Sequence, residues 1–189
     1  MQEKLNKTIV FLIRFSIVML IAGLAIGFIS QFTSKVIFKS IPMEAQVFAE
    51  RNMSTLHGHI IIIGFIVPMI LAFTTNFVKN NIAINRGRVK RLRIAFKCYV
   101  AGSVLTLFLS TYKGLFYLVK LSQDISIPLD DIDAALFFGN HIFRSIIYSI
   151  AHPLFAFALL WYFLILWKGL GVIKTRAGAP RPLSKRSRG

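Results

Sequence analysis

Four stretches of this chain, about residues 9 to 33, 58 to 78, 94 to 119 and 143 to 167, are apolar for twenty residues or more. A helix needs roughly 20 mostly apolar residues to cross the ~30 Å hydrocarbon core of a bilayer. Inside that core every backbone polar group must be satisfied by the segment itself, which a helix does. The 189 residues are 56% hydrophobic with 18 Phe, and mean hydropathy is +0.66. The expected fold is therefore all-α: an integral membrane four-helix bundle over residues 1–168, followed by a basic, disordered cytoplasmic tail over 169–189. The first stretch is expected to be a span and not a secretory leader, since its apolar region is too long and GFISQFTSKV follows in place of a small-residue cleavage site. Pro42 breaks the chain before the second span, and the segment from Glu44 is expected to add a turn or two of helix.

Charge orients the spans. Basic residues gather before the first span (Lys4, Lys7), between the second and third (Lys79 to Lys97), and after Trp167. Every acid except Glu3 falls in the other two connections: Glu44, Glu50, Asp124, Asp130, Asp131 and Asp133. By the positive-inside rule both termini are expected in the cytoplasm, in a multi-pass protein of the bacterial inner membrane. The net charge of +16 is then topological. It argues for anionic headgroups as partners of the tail, and against nucleic acid. One cysteine, Cys98, excludes an internal disulfide and any multi-thiolate metal site.

Small and polar residues mark the faces expected to look inward, because lipid-facing positions should be apolar. The third span carries Tyr99, Ser103, Thr106, Ser110, Lys113 and Tyr117 at alternating steps of four and three. The fourth repeats this with His141, Ser145, Tyr148, His152 and Ala156, with Arg144 beside them. The first offers Ser16, Gly23, Gly27, Ser30 and Ser34, a pattern of close packing. In the second span, STLHGHIIIIGF places two histidines at the lip of an apolar run. Residues two apart on a helix point roughly 200° apart, so His57 and His59 cannot share a face. The His57 face continues through Gly64, Pro68 and Thr75 and has the better claim to the interior, with His59 the alternative.

Ionisable groups inside a membrane are costly unless they pair or bind something. His57 or His59, His141, His152, Lys113, Arg144 and Tyr148 are all expected in the outer half of the bilayer. A b-type haem would use most of them: His152 and one of His57 or His59 as axial ligands, with Arg144 and Lys113 neutralising the propionates. A bare zinc or copper ion on His57, His59 and His152 is the alternative. His141 and His152 are about 16 Å apart along one helix, too far to share an ion. No acid lies inside a span, and there is no phosphate-binding loop, covalent haem motif or hydrolase elbow. A self-contained enzyme is not the expectation.

The segments TLHGHIIIIGF, YVAGSVLTLFLSTYKG and SIIYSIAHPLFAFALLWYF resemble a family of small bacterial four-helix membrane proteins. There an H-x-H opens the second helix, a basic residue plus Gly ends the third, and a lone His sits in the fourth. The resemblance covers roughly residues 10 to 168. More distantly, H-x-H with G-F is similar to the haem-ligating second helix of haem–copper oxidase subunit I and of NnrS-type haem and copper membrane proteins. It implies ligand roles for His57, His59 and His152, and does not reach His141. The expected function is electron transfer, or an accessory role beside respiratory-chain membrane subunits. A haem-free metal-binding or substrate-passing protein, and a structural or assembly subunit (homo-oligomer included), are the other readings.

Overall fold

The computed structural model describes residues 2–36, 43–81, 85–124 and 126–177. Helix α1 spans Gln2–Val36, α2 Met43–His59, α3 Val67–Asn81, α4 Arg86–Gln123, α5 Leu129–Ala135 and α6 His141–Ala177. A π-helical segment, Ile60–Ile66, joins α2 to α3 without a break. A short 3₁₀ turn, Leu136–Gly139, joins α5 to α6. No strand occurs among the described residues. Four helical stretches are long and apolar enough to cross a membrane: Glu3–Phe32, Glu50–Asn80, Arg86–Gln123 and His141–Lys168.

Two expectations change. The second span does not open at His57: the helix starts at Met43, because MEAQVFAERNMST is rich in helix formers and buries Met53 and Leu56. Both histidines therefore sit inside a continuous helix. The last helix also runs beyond residue 168 to Ala177, and residues 178–189 lie outside the described residues, as does Pro42.

Capping explains where α4 and α6 begin. The Asn85 side chain accepts from the Arg88 N–H at 2.9 Å, and Asn140 does the same for Phe143 at 2.9 Å. One core, at the end carrying Gln2 and Ala177, joins all four spans: Leu5 and Leu12 of α1, Leu71 and Ala72 of α3, Leu92 and Phe96 of α4, Tyr162 and Leu166 of α6. At the far end the core divides. Leu56, Ile60 and Leu107 tie α2 and the π segment to α4, with Met19 and Ile26 of α1 packed on them. Tyr117 and Leu121 of α4 close on Ile132 and Leu136 of the α5 hairpin. Helix α6 packs chiefly on α4, and α1 on α2, the π segment and α3. Exposed apolar rows on α1 (Ile17, Val18, Ile21, Phe28), α4 (Val104, Phe108, Leu115) and α6 (Phe157, Leu160, Phe163) are the surfaces a bilayer would cover.

The third span follows its pattern: Tyr99, Ser103, Thr106 and Tyr117 are all buried. The fourth does not. Its buried row is Ala151, Ala158, Tyr162 and Ile165, while His141, Ser145, His152 and Ala156 are exposed. Gly102 decides this. A Cβ there would lie 2.6 Å from the Phe155 nitrogen, so α4 and α6 approach backbone to backbone on that side. The polar row of α6 is left on the opposite flank.

Candidate functional site

The residues expected to form one pocket fall into three places. The first is a hub on Asp133, in α5 outside the spans. Its carboxylate accepts from Lys113 Nζ at 2.9 Å, from the Tyr117 hydroxyl at 2.9 Å and from Arg144 at 2.7 Å. The same guanidinium also donates to the Asp133 carbonyl and, at 3.2 Å, to Nδ1 of His141. Burial by itself would raise the Asp133 pKa. The hydrogen bonds from Lys113 and Tyr117 and the charges of Lys113 and Arg144 outweigh it and hold the group below the ordinary carboxylate range. Lys113 and Arg144 are thus brought together as expected, but around a carboxylate of the chain itself. Sequence reasoning passed over Asp133 because the outer acids were read only for orientation. The available signal was an acid-rich loop, LDDIDAA, directly joining two spans whose ends carry cations.

Next to the hub the backbone is bent the wrong way for most residues. Phe137 and Phe138 take left-handed φ values of 53° and 58°, and Gly139 follows at 75°. A non-glycine residue there costs about 1–2 kcal/mol. Contacts on Phe137 offset this: its N–H donates to the Tyr112 hydroxyl at 3.2 Å, and its ring lies 4.9 Å from Tyr112 and 6.2 Å from Tyr148.

The second place is the α1 side of the second span. The His57 Nδ1–H donates to the Gly23 carbonyl at 2.8 Å, which in the neutral ring leaves Nε2 unprotonated. Gly27 makes room, since a Cβ there would sit 2.9 Å from the imidazole. Together Gly23 and Gly27 form a G-x-x-x-G step that lets α1 approach. So His57 does face the interior, against α1. The His59 Nδ1–H donates to the Thr55 carbonyl one turn back on its own helix, at 2.8 Å.

The third place is the flank of α6. His152 lies near the middle of the His141–Lys168 segment and is exposed. Its ring stacks 6.2 Å from Tyr148 and 6.3 Å from Phe155, and it makes no hydrogen bond among the described residues. The Tyr148 hydroxyl is buried and also lacks a partner among them. Pro153 follows directly, inside the helix, and has no N–H to give the Ser149 carbonyl one turn back. Ser145, Ser149, His152 and Ala156 recur at steps of four, three and four and are all exposed.

The second span solves the same proline problem internally. Val67 N–H bonds to the Ile62 carbonyl, five residues back, so in this π register Pro68 would have served Ile63. The Tyr99 hydroxyl donates to Ile63 instead, at 2.6 Å.

His57, His59 and His152 do not converge. Two are engaged around α1 and α2 and one stands on the outer flank of α6, a helix that packs on α4. No group of three His, Cys, Asp or Glu side chains able to hold a metal occurs among the described residues. No protein-family model, curated protein or solved structure matches the chain. The family resemblance rests on its quoted segments alone.

Proposed function

We propose that this chain is a membrane-embedded packing subunit, with both termini cytoplasmic in a bacterial inner membrane, and that the flank of α6 receives a transmembrane helix of another subunit. The observation that carries this reading is His152, exposed beside a backbone carbonyl that Pro153 leaves without a donor. A polar ring and an orphan acceptor facing hydrocarbon would be costly. A docked helix with small residues and one hydrogen-bonding side chain at that depth would satisfy both. Ser145, Ser149 and Ala156 allow its backbone to come close.

Haem enters this reading only at the same flank, with His152 as one axial ligand and the second supplied by the docked helix. Within a single chain His57 and His59 are tied elsewhere, and Lys113 and Arg144 already share Asp133.

The test is a comparison of native and His152→Phe protein extracted in mild detergent and followed by crosslinking and sizing. Native protein should run as a complex, with Ser149→Cys crosslinking to the partner. His152→Phe should lose association at least tenfold while the chain itself stays folded. A native chain that is strictly monomeric after gentle extraction, or an unaffected His152→Phe complex, would refute the reading. A complex made only of copies of this chain would replace the partner subunit by a homo-oligomer. An absorption spectrum taken alongside separates dry packing from a haem, which would show a Soret band lost in His152→Phe.

A further inference from the structure

At the end of the bundle that carries Gln2, α1 and α4 enclose a cleft of about 470 Å³ lined by Lys4, Lys7, Thr8, Phe11, Arg93, Phe96 and Lys97. A second cleft, also about 470 Å³, adjoins it through Lys4 and Arg93 and adds Arg86, Val89 and Lys90. On α4 the residues Arg86, Lys90, Arg93 and Lys97 follow at steps of four, three and four, so they form one basic row along one face. Lys4 and Lys7 border the same clefts from α1. Among the described residues the only ion pair these cations make is Lys7 with Glu3, at 2.7 Å and with both side chains largely exposed. The helix N-termini of α1 and α4 add positive potential at this end.

Six cations around one exposed carboxylate repel one another, and the arrangement is relieved by an anion. Other features of the site say what kind. The wall below the cations is aromatic: Phe96 is 2% exposed and Phe11 53% exposed. Both clefts sit where the apolar spans give way to the basic connection, the level of lipid headgroups. Arg14, three residues beyond Phe11 and on the same face of α1 as Lys7 by spacing, is exposed inside the first apolar span. An arginine placed there keeps its stem in hydrocarbon and lifts its guanidinium toward the headgroup layer. A soluble phosphate would use the cations and leave the aromatic wall bare. A phospholipid uses both.

The geometry points to a binding site for an anionic phospholipid, its phosphodiester held by Lys4, Arg93 and Lys97 and its acyl chains lying along the exposed Phe11, with buried Phe96 closing the floor of the cleft. The site is distinct from the α6 flank and does not depend on what docks there.

Native mass spectrometry of detergent-purified protein, titrated with phosphatidylglycerol or phosphatidylcholine, tests this directly. Phosphatidylglycerol should be retained at one or two copies and phosphatidylcholine should not. Combining Lys4→Gln, Arg93→Gln and Lys97→Gln should weaken phosphatidylglycerol binding about a hundredfold, each cation near an anionic surface being worth roughly fivefold. Removing the same charge from the tail by Lys185→Gln, Arg186→Gln and Arg188→Gln should leave retention unchanged. Equal loss in both triple variants would mean diffuse attraction and overturn the site. So would equal retention of the two lipids, or displacement of phosphatidylglycerol by equimolar inorganic phosphate. Unfolding monitored through Trp161 and Trp167 guards against a misfolded variant: the cleft variant should melt like native protein without lipid and lose only the stabilisation that phosphatidylglycerol confers.

Discussion

Two of the four helical stretches long and apolar enough to cross a membrane contain a proline, and the chain treats the two differently. At Pro68 the missing backbone donor is replaced from within: the helix shifts to π register and the Tyr99 hydroxyl of α4 serves the Ile63 carbonyl. At Pro153 no side chain among the described residues takes the place of the lost donor, and His152 beside it is exposed. In water the difference would be minor, since solvent would bond to either carbonyl. In hydrocarbon an unsatisfied group is expensive, so a break repaired internally marks a finished interface. A break left open is, on the proposal above, the surface that a docked helix completes.

Because α6 packs chiefly on α4, the largest single loss should come from Gly102→Ala. The added Cβ would lie 2.6 Å from the Phe155 nitrogen and 3.0 Å from its Cα, both backbone atoms that cannot turn aside. The helices must separate, at a cost of about 2–3 kcal/mol, read as a lower unfolding midpoint in detergent. Gly114→Ala, which meets nothing within 4 Å, should not lower that midpoint and should raise it slightly, since alanine is the better helix former by about 0.5–1 kcal/mol. If Gly102→Ala is equally harmless, the close approach to α4 does not hold α6 in place and the contrast between the two prolines weakens.

That contrast also explains what could be read in the sequence. The number of spans was legible because hydropathy over twenty residues is a one-dimensional property; the extra turns that carry α2 back to Met43 and α6 on to Ala177 are too polar to register in it. The inward row of α4 was legible because its neighbours lie on both sides, so its polar stripe had to be buried. The same rule misplaced α6. Its stripe of Ser145, His152 and Ala156 is as polar and as regular, but α6 packs chiefly on α4, with Tyr162 tied to Thr75 and Leu71 of α3, and small residues at Gly102 and Ala151 chose which face meets them. Spacing identifies a face and cannot say what is opposite it. The partners of His57 and His59 were hidden for a related reason: their hydrogen bonds run to the Gly23 and Thr55 carbonyls, groups with no side-chain signature. Asp133 was hidden because its role depends on a short hairpin folding back onto two spans. The repair at Pro68 was available in principle, since an internal proline always leaves a carbonyl in want of a donor.

A double-mutant cycle sharpens the comparison at intermediate size. Tyr99→Phe should cost about 1–2 kcal/mol, because it leaves the Ile63 carbonyl buried without a donor. In a Pro68→Ala background, where the backbone regains its own N–H, the same substitution should cost well under half as much. Pro153→Ala should behave in the opposite sense: it supplies a donor that the isolated chain lacks. The isolated chain should gain about 1 kcal/mol in stability, while association through α6 weakens. Equal stabilisation by Pro68→Ala and Pro153→Ala would show that the two breaks are equivalent and would remove the case for an open interface.

The smallest effect concerns the far-end clamp that keeps α6 from swinging away from α4 once Gly102 has placed it. The Asp133 side chain is 35% exposed, and Lys113 and Arg144 on either side are 36% and 23% exposed, so solvent screens much of the attraction. Asp133→Asn should therefore cost no more than about 1 kcal/mol at neutral pH. The pH dependence is the more specific signature. The folded-state pKa of Asp133 lies below its ordinary value, so the stabilisation is fully present above the unfolded carboxylate pKa of about 3.9. It is lost as pH falls from there through the lower folded value, where the protonated group can no longer hold both cations. Native protein should lose stability as the pH is taken below about 4, and Asp133→Asn should flatten that fall. Asp124, whose pKa is lowered by its local hydrogen bonds from Ser126, provides the comparison. Asp124→Asn removes an exposed turn contact and no link between helices, so it should leave the clamp's share of the acid-induced loss intact. A profile flattened equally by both substitutions would mean that the Asp133 clamp does not help to position α6.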